Sequence, residues 1–187
     1  MTRAALQSDF GGIRSRRDGT GQQDRDLQLE YYADLWQDLY DATWPGYEPW
    51  AVDWPGLAEL HDVGPAWDRS PPLRTERARR AALVEIDALV AVWLGVEADA
   101  LVAMYKSRFP IVQDFDAVTW FDANERKIAG GRHTYGFGQA KVHYEHLLAY
   151  QKGERPTPLD GYTTPFYKAD REREMRSAHA YFSERLQ

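Results

Sequence analysis

The strongest constraint on the fold is a long helical pattern in the middle of the chain, which begins near Arg74 and ends at Gly95. Apolar residues recur in this pattern with the period of an α-helix. They form one continuous stripe, which consists of Ala82, Ile86, Leu89, Val90 and Trp93. Pro72 precedes the pattern, and Gly95 lies where helices commonly end in the left-handed conformation. The sequence therefore predicts a helix whose apolar stripe faces the protein interior.

A second, shorter helix is predicted directly after this one, and Pro110 is expected to end it. Acidic residues lie near its start and basic residues near its end, an arrangement that the helix dipole favours. These charged residues are Glu97, Asp99, Lys106 and Arg108, and the apolar stripe of the helix consists of Leu101, Met104 and Tyr105. Because the connection between the two helices is short, we expect a tight helix hairpin, which is the predicted hydrophobic centre of the protein.

The remaining elements are shorter. Helical spacing predicts further helices over 27–41, 139–152 and 168–186, and alternation around a polar turn predicts a small β-hairpin over 118–129. The inward positions of the last two helices are predicted to be Val142, Leu147 or His146, and Tyr150, and then Met175, Ala178 and Phe182. The charged run over 170–174 is interpreted as a solvated face. The predicted fold class is mainly α: a bundle-like helical domain with a helix-hairpin core and one small β-hairpin.

Composition divides the chain into three parts. Residues 1–26 hold few large apolar side chains, so we interpret them as a flexible tail or as a tail that docks on the fold. Residues 27–72 are acidic and rich in tryptophan and proline, and residues 73–187 form the helical module. Within 27–68 there are nine acidic residues and no Lys or Arg, although the net charge of the whole chain is only -6. Such a block predicts a surface for a particular partner, or one that neutralises the basic blocks inside the fold.

Tryptophan is concentrated in the acidic part, where five of the seven lie between residues 36 and 67. Exposed rings of this kind seat a protein partner or stack on bases. The candidate partner-binding residues are Trp50, Trp54 and Trp67. The alternative interpretation is that a segment with little periodic structure buries its large rings to hold itself in place.

Several classes of protein are excluded by what the sequence lacks. The chain has 187 residues and no cysteine, which excludes disulfides, thiolate zinc sites and cysteine nucleophiles. Its longest apolar run, Ala88 to Gly95, is less than half of the roughly 20 residues that a membrane span needs. The N-terminus has no apolar core of a secretory signal, so we expect a cytoplasmic protein without a membrane partner. No serine-hydrolase elbow and no Walker-type phosphate loop occurs, and we expect no cofactor.

Histidines and a glutamate offer one route to catalysis. His143 and His146 are three positions apart with Glu145 between them, and His133 lies ten residues upstream of His143. Two ligands on one helical face and a third from a loop would suit a metal-dependent or acid/base hydrolase. However, the zinc-protease pattern places its histidines four positions apart, with the glutamate directly after the first. A hydrolase is therefore the alternative function and not the first choice.

A basic, glycine-rich segment offers contacts of another kind. Its candidate nucleic-acid-binding residues are Arg126, Lys127, Arg132, His133 and Lys141, which are interleaved with Tyr135 and Phe137. Cationic side chains for phosphates, glycines that allow a close backbone approach and rings for stacking are typical of nucleic-acid contact. A second basic cluster consists of Arg77, Arg79 and Arg80, and its alternative role is to pair with the acidic residues.

Three stretches of the helical module occur in a characteristic order. They are ALVEIDALVAVWLGV over 82–96 with LVAMYKSRFP over 101–110, WFDANERKI over 120–128 with YGFGQ over 135–139, and PFYKADREREM over 165–175 with AHA over 178–180. In this order they resemble the C-terminal region of bacterial adenine-specific DNA methyltransferases of type IIG-like restriction-modification and phage-defence systems. The resemblance covers about residues 73–187.

A departure from that family decides the chemistry that can be expected. The family's catalytic [N/D]-P-P-[Y/F] tetrapeptide and its S-adenosylmethionine motif do not occur in this sequence, and the tetrapeptide at 70–73 has the wrong flanks. No catalytic residue is therefore carried over. The resemblance implies a non-catalytic module that binds the DNA phosphate backbone, docks on a DNA methyltransferase subunit, or does both, and a pure protein–protein scaffold is the alternative. A separate subunit and a fragment of a longer enzyme both fit this expectation.

Overall fold

The computed structural model describes residues 33–43, 49–60, 64–67, 73–131, 135–136 and 138–186. The chain divides into two compact units: Met1–Gly46 with Val63–Pro71, and Tyr47–Asp62 with Pro72–Gln187. Part of the acidic, tryptophan-rich segment therefore belongs to the same unit as the helical module. The predicted tail over 1–26 lies outside the described residues.

Tryptophans hold together the described parts of the smaller unit. Residues 33–39 are helical, which agrees with the described part of the helix predicted over 27–41. The Trp36 indole donates a hydrogen bond to the carbonyl oxygen of Gly64 (2.9 Å), and its ring centre lies 5.2 Å from that of Trp67. Trp36 therefore supplies the inward contact of this helix.

The larger unit contains the helices and strands that the sequence predicts after residue 73, together with α3 and β3, which it does not. In chain order the elements are α1 (Glu76–Trp93), α2 (Ala98–Arg108), α3 (Pro110–Ala117), β1 (Thr119–Phe121), β2 (Lys127–Ala129), α4 (Lys141–Gln151), β3 (Tyr167–Lys168) and α5 (Arg171–Arg185). The last helix begins at Arg171 and not at Lys168, because Lys168 belongs to β3. The prediction of a mainly α fold is confirmed. Pro110 begins a new helix as well as ending the one before it, because the first helical position needs no N–H donor. In the described ranges, no helix combines the length and the apolar character that a membrane span requires.

The three strands form one antiparallel sheet with β1 in the centre and β2 and β3 at its sides. The buried carboxylate of Asp122 closes the turn between β1 and β2. It accepts hydrogen bonds from the backbone N–H groups of Asn124 (3.0 Å) and Arg126 (2.8 Å). It also accepts one from the N–H of Thr163, which ties the turn to the segment before β3. An aspartate that binds nearby backbone N–H groups is the turn chemistry on which the hairpin prediction depends.

The main hydrophobic core lies between α1, α2 and α5. Its buried members are Val52, Val84, Ala88, Ala91, Leu101, Val102, Tyr105, Met175 and Ala178. The predicted helix hairpin is present, and Gly95 has the expected positive φ, 69°. The C-terminal helix completes the core through Met175 and Ala178, the positions that the sequence predicts.

The predicted stripe of α1 does not face this core, and that part of the prediction is wrong. Ile86, Leu89, Val90 and Trp93 are exposed. The apolar residues that α1 buries are Ala78, Ala81, Val84, Ala88 and Ala91. Small side chains allow neighbouring helix axes to approach closely, and α1 packs its small face most extensively on α5. Because α1 is apolar on several sides, periodicity alone does not distinguish the buried face from the exposed one.

A second apolar cluster joins α4 to β2. Its buried members are Ile128, Leu147 and Leu159. Leu147 faces inward as predicted, whereas Val142 is exposed because it lies in the first turn of α4, away from the sheet. Gly130 allows this packing, since a Cβ atom there would lie 2.3 Å from the ring of Tyr144.

Candidate functional site

Arg126, the first predicted nucleic-acid contact, holds the β1–β2 turn together. Its guanidinium nitrogens lie 2.6 and 2.9 Å from the carboxylate of Asp122, and its central carbon lies 4.7 Å from the centre of the Tyr162 ring. About half of the side chain is exposed. A phosphate would have to compete with Asp122 for these N–H groups, because a carboxylate and a phosphate bind the guanidinium group in the same way.

The predicted lysines also have acidic partners. Lys127 Nζ lies 3.8 Å from Glu76, and Lys141 Nζ lies 3.1 Å from Glu145. The hydrogen bond to Glu145 raises the pKa of Lys141. Such pairs are weak where they are exposed, so they exchange with other anions. The remaining predicted members of this surface, Arg132 and His133, lie outside the described residues.

A cavity of about 370 Å³ beside this turn carries charges of both signs. Glu76 and Glu125 line it together with Arg126 and Lys127. Glu125 accepts hydrogen bonds from the hydroxyl of Thr75 and from the backbone N–H of residue 58. The described part of the predicted basic surface is therefore mixed in charge, and it does not form a continuous basic groove.

The residues of the alternative hydrolase site make separate structural contacts. His143 accepts a hydrogen bond from the backbone N–H of Ala140 (3.2 Å) at the start of α4. His146 lies 3.2 Å from the carbonyl oxygen of Thr157, and Glu145 pairs with a lysine. Over the part of the chain that the structure describes, no three His, Asp or Glu side chains come together as a metal site.

The three predicted partner-binding tryptophans contact their own chain. The Trp54 indole donates to the carboxylate of Glu85 (2.8 Å), and its ring packs against the main core. The Trp50 indole donates to the carbonyl oxygen of Ala58 (2.9 Å), and Trp67 packs in the smaller unit as described above. These contacts fit the alternative interpretation, in which the rings hold the tryptophan-rich segment in place.

A buried ionic cluster, which the sequence does not predict, lies where α1, α3 and α5 meet. Asp116 accepts hydrogen bonds from Arg80 (3.2 Å), Arg171 (2.7 Å) and the hydroxyl of Tyr105 (3.3 Å). Arg80 also lies 2.5 Å from Glu174. The interpretation of Glu174 as part of a solvated face is wrong: its side chain is 5% exposed because it neutralises a buried arginine. Arg80 was one member of a visible basic cluster, but its acidic partners are distant in sequence.

This cluster shifts the pKa values of its members. Burial disfavours the charged form of Asp116, but the neighbouring guanidinium groups of Arg80 and Arg171 outweigh burial and hold its pKa below the ordinary value. Burial and the Asp116 carboxylate raise the pKa of Tyr105 to about 12. Burial lowers the pKa of Lys168, whose ammonium group donates to the backbone carbonyl of Asp116 (2.6 Å). The cluster joins three helices and a strand through charge, so its first role is structural.

The most unusual surface of the larger unit is an apolar face of α1, which we call the α1 stripe and which consists of Leu83, Ile86, Leu89, Val90 and Trp93. These side chains are between 38% and 80% exposed, and Trp93 is the most exposed of them. A groove of about 510 Å³ on one side continues the apolar surface to Met104 and Phe109. A second groove, of about 390 Å³, continues it on the other side to Trp50 and Leu186. Large contiguous apolar surfaces of this kind mark sites of interaction.

No family model, curated protein or solved structure matches this chain. The resemblance to the methyltransferase region therefore stays an expectation from the sequence.

Proposed function

We propose that this chain is a non-catalytic assembly module of a bacterial DNA-modification system, that it acts in the cytoplasm, and that it works by self-association through the α1 stripe. The resemblance of residues 73–187 supports the biological setting, and the absence of the family's catalytic motifs from the sequence supports a module without chemistry of its own. The observation that carries the proposal is the exposure of the α1 stripe: Ile86 at its centre is 53% exposed and Trp93 at its end 80%.

The spacing of the α1 stripe suits contact with another helix. Its residues follow one another at intervals of three and four positions, which is the spacing of a helix–helix packing seam. The central part of the stripe is symmetric about Ile86, whereas Val90 and Trp93 have no apolar counterpart of similar size on the other side. Leu83 and Leu89 lie three positions before and after Ile86, and Arg79 and Trp93 lie seven positions before and after it. A two-fold axis through Ile86 would therefore bring α1 against α1 of a second copy in antiparallel orientation.

The charges at the two ends of α1 complement each other in this arrangement. Arg74 and the exposed Arg79 lie at the N-terminal end, where they outnumber the exposed Glu76, and the exposed Glu97 follows the C-terminal end. Antiparallel pairing places the arginine end of one copy beside the acidic end of the other, and it opposes the two helix dipoles favourably. It also places Arg79 of one copy near the Trp93 ring of the other, where a cation–π contact can form.

The apolar surface extends beyond the helix itself. The α1 stripe runs from Leu83 to Trp93, which corresponds to about 15 Å at the usual rise per residue. The two flanking grooves widen the apolar surface on both sides of the stripe. The grooves lie where the larger side chains of a second copy would enter.

The first experiment compares oligomeric states by sedimentation. We expect the wild-type chain to be a dimer and Ile86→Glu to be a monomer at the same concentration, because the substitution places two like charges at the centre of the interface. Ile111→Glu is the matched control: Ile111 is 67% exposed on α3 and lies outside the stripe, so this variant should remain a dimer. A monomeric wild-type chain, or equal dissociation of both variants, would overturn the proposal.

A second experiment tests the orientation of the two copies. The chain has no cysteine, so single introduced cysteines report contacts without interference. In the antiparallel dimer, a mixture of Leu83→Cys and Leu89→Cys chains should form the mixed disulfide in preference to either homodisulfide. Preferred homodisulfides would indicate a parallel pair and would contradict the two-fold axis at Ile86.

Contact with the DNA phosphate backbone is a separate proposal, and the pairing of Arg126, Lys127 and Lys141 with acids does not favour it. Duplex binding measured over a range of salt concentrations tests it directly. Phosphate contact requires an affinity that falls steeply with salt. If such binding were lost in Lys127→Ala and kept in Lys152→Ala, an exposed lysine outside the predicted surface, DNA would replace a second copy as the principal partner.

A further inference from the structure

A cavity of about 310 Å³ lies between the start of α1, the edge of the sheet that β3 forms and the loop over 53–55. Its polar lining is mainly cationic, and aromatic rings form much of the rest. The cations are Arg77, Arg80, Lys168 and Arg173, the acids are Asp53 and Glu174, and the rings are those of Trp54, Trp120, Phe121, Phe166 and Tyr167. The volume falls at the lower end of the range for small-molecule sites, roughly 300–1,000 Å³.

Arg77 is the key residue of this cavity because its charge is buried and, among the described residues, the carboxylates that attract it (Glu125, Glu174 and Asp122) lie beyond ion-pair distance. Only 4% of the residue is exposed. One terminal nitrogen donates to the carbonyl oxygen of Pro55, and the guanidinium group lies 4.1 Å from the centre of the Tyr167 ring. The other terminal nitrogen, Nη1, is buried and has no hydrogen-bond partner in the described structure. Among the described residues, no carboxylate lies within ion-pair distance of Arg77.

Arg80 contributes a second unpaired donor to the same cavity. Its Nε and Nη1 atoms face Asp116 and Glu174, but its Nη2 atom is buried and has no hydrogen-bond partner in the part of the chain that is described. Arg77 and Arg80 are three positions apart on α1, so they lie on neighbouring turns of one helix face. Over the described ranges, Arg77 Nη1 and Arg80 Nη2 are therefore two buried donors from adjacent turns without a hydrogen-bond partner, and the buried acceptor in the same state beside them is Glu174 Oε2, which already forms an ion pair with Arg80 Nη1.

Unsatisfied buried donors on charged groups are costly, and proteins keep them where a ligand supplies the acceptor. Two guanidinium groups side by side are well suited to an oxyanion, because each can give N–H bonds to a separate oxygen atom. The surrounding rings would bury a flat apolar body attached to that oxyanion.

We propose that this cavity binds a small oxyanion attached to an aromatic ring, a carboxylate or a phosphate, whose oxygen atoms accept hydrogen bonds from the guanidinium groups of Arg77 and Arg80. The ring of the ligand packs against Trp120 and Tyr167. The ammonium group of Lys168 stays with its backbone carbonyl partners and supplies only long-range attraction. The site does not involve the α1 stripe, so it is independent of self-association.

The test is a titration of the wild-type chain followed by NMR of the tryptophan indole N–H groups. We expect benzoate or phenyl phosphate to shift the signals of Trp54 and Trp120 with a dissociation constant of about 1 mM or lower, and to leave that of Trp93 unchanged. Tighter binding of one of these two ligands would identify the oxyanion as a carboxylate or a phosphate. The absence of saturable shifts with both would overturn the proposal and would mean that water satisfies the two arginines.

Two further probes test the parts of the ligand separately. Inorganic phosphate carries the oxyanion without the ring, and benzyl alcohol carries the ring without the oxyanion. Both should bind at least tenfold more weakly than the better of the two aromatic oxyanions. Equal binding of inorganic phosphate would overturn the role of the rings, and equal binding of benzyl alcohol would overturn the role of the arginines.

Arg77→Lys provides the corresponding variant, because lysine keeps the charge and loses the second donor of the guanidinium fork. We expect at least a tenfold weaker affinity for the better ligand, with no change in Arg108→Lys, where an exposed arginine at the end of α2 is replaced in the same way. Unchanged affinity in a folded Arg77→Lys chain would contradict the proposal. If that variant does not fold, the comparison of ligands on the wild-type chain decides.

Discussion

The two sides of α1 differ in side-chain size more than in polarity. The side that packs on α5 carries alanine and one valine, whereas the α1 stripe carries leucine, isoleucine, valine and tryptophan and stays in solvent. If hydrophobicity alone decided which side is buried, the α1 stripe would be buried and the alanine side would be exposed. Close approach of the helix axes decides it, because small side chains allow more atoms of α1 and α5 to touch. The larger side chains of α1 are then left exposed.

The two sides also differ in how they carry charge. At its N-terminal end the buried side carries Arg77 and Arg80. Arg80 forms ion pairs with Asp116 and Glu174. The exposed side carries Asp87 beside apolar side chains of the 510 Å³ groove. The buried side is therefore stabilised by packing and ion pairs together, whereas the exposed side contributes little to the stability of the single chain.

The largest expected effect follows from breaking the ionic end of the buried side. Asp116→Ala removes the acceptor that Arg80 and Arg171 share, and leaves two largely buried cations partly uncompensated. We expect the free energy of unfolding to fall by about 3–5 kcal/mol, measured by urea denaturation. Asp114→Ala removes an exposed carboxylate from the same helix and should change it by less than about 0.5 kcal/mol. Equal losses of stability in the two variants would show that any carboxylate removed from α3 lowers the free energy of unfolding, and that the ion cluster has no special role.

The next effect tests whether small side chains select the buried side. Ala88 is fully buried, so Ala88→Leu should force α1 and α5 apart and lower the free energy of unfolding by about 1–3 kcal/mol. Ala180→Leu makes the same change at an exposed position of α5 and should have an effect below about 0.5 kcal/mol. A neutral Ala88→Leu would show that the interface has room for a large residue, which would contradict the close-approach explanation.

Much of the fold could be predicted from the sequence because its signals are local. The bounds of α1, the positive φ of Gly95 and the Asp122 turn all depend on residues that are close in the chain. The buried side of α1 could not be predicted in this way, because it depends on α5, which is about 80 residues away in sequence. Periodicity indicates that a helix has an apolar side, but it does not indicate which of two apolar sides is buried.

The candidate sites were harder to predict than the fold for a related reason. Charge clusters such as 126–141 are visible in sequence, but their pairing with Asp122, Glu76 and Glu145 is visible only in space. The arginines at 77–80 were visible as a basic cluster as well. Their separation into exposed Arg79 and inward Arg77 and Arg80 requires the orientation of α1, which the sequence did not provide.

The pH dependence of stability should distinguish the ionic end of the buried side from the rest of α1. Because Asp116 has a folded-state pKa below its unfolded value, its stabilising contribution is present above the unfolded pKa and is lost as pH falls through the folded pKa. The free energy of unfolding should therefore decrease below about pH 4. In Asp116→Asn this component should be absent, whereas Asp114→Asn should keep it. If Asp116→Asn loses stability at low pH as the wild-type chain does, other carboxylates must cause that loss.

The smallest expected effect concerns Asp87 on the exposed side. Its charge should lower the free energy of unfolding, whereas the charge of Asp116 raises it. Burial against neighbouring apolar side chains raises the pKa of Asp87, although Arg171 partly counteracts this. A raised carboxylate pKa means that the charged form opposes folding, so stability increases as pH falls through this pKa. Asp87→Asn should therefore increase the free energy of unfolding at pH 7, by less than about 0.5 kcal/mol, with Asp114→Asn as the control. The gain should vanish near pH 3, where Asp87 is protonated. A loss at pH 7 would mean that attraction to Arg171 outweighs desolvation, and that the exposed side is held by charge in the same way as the buried one.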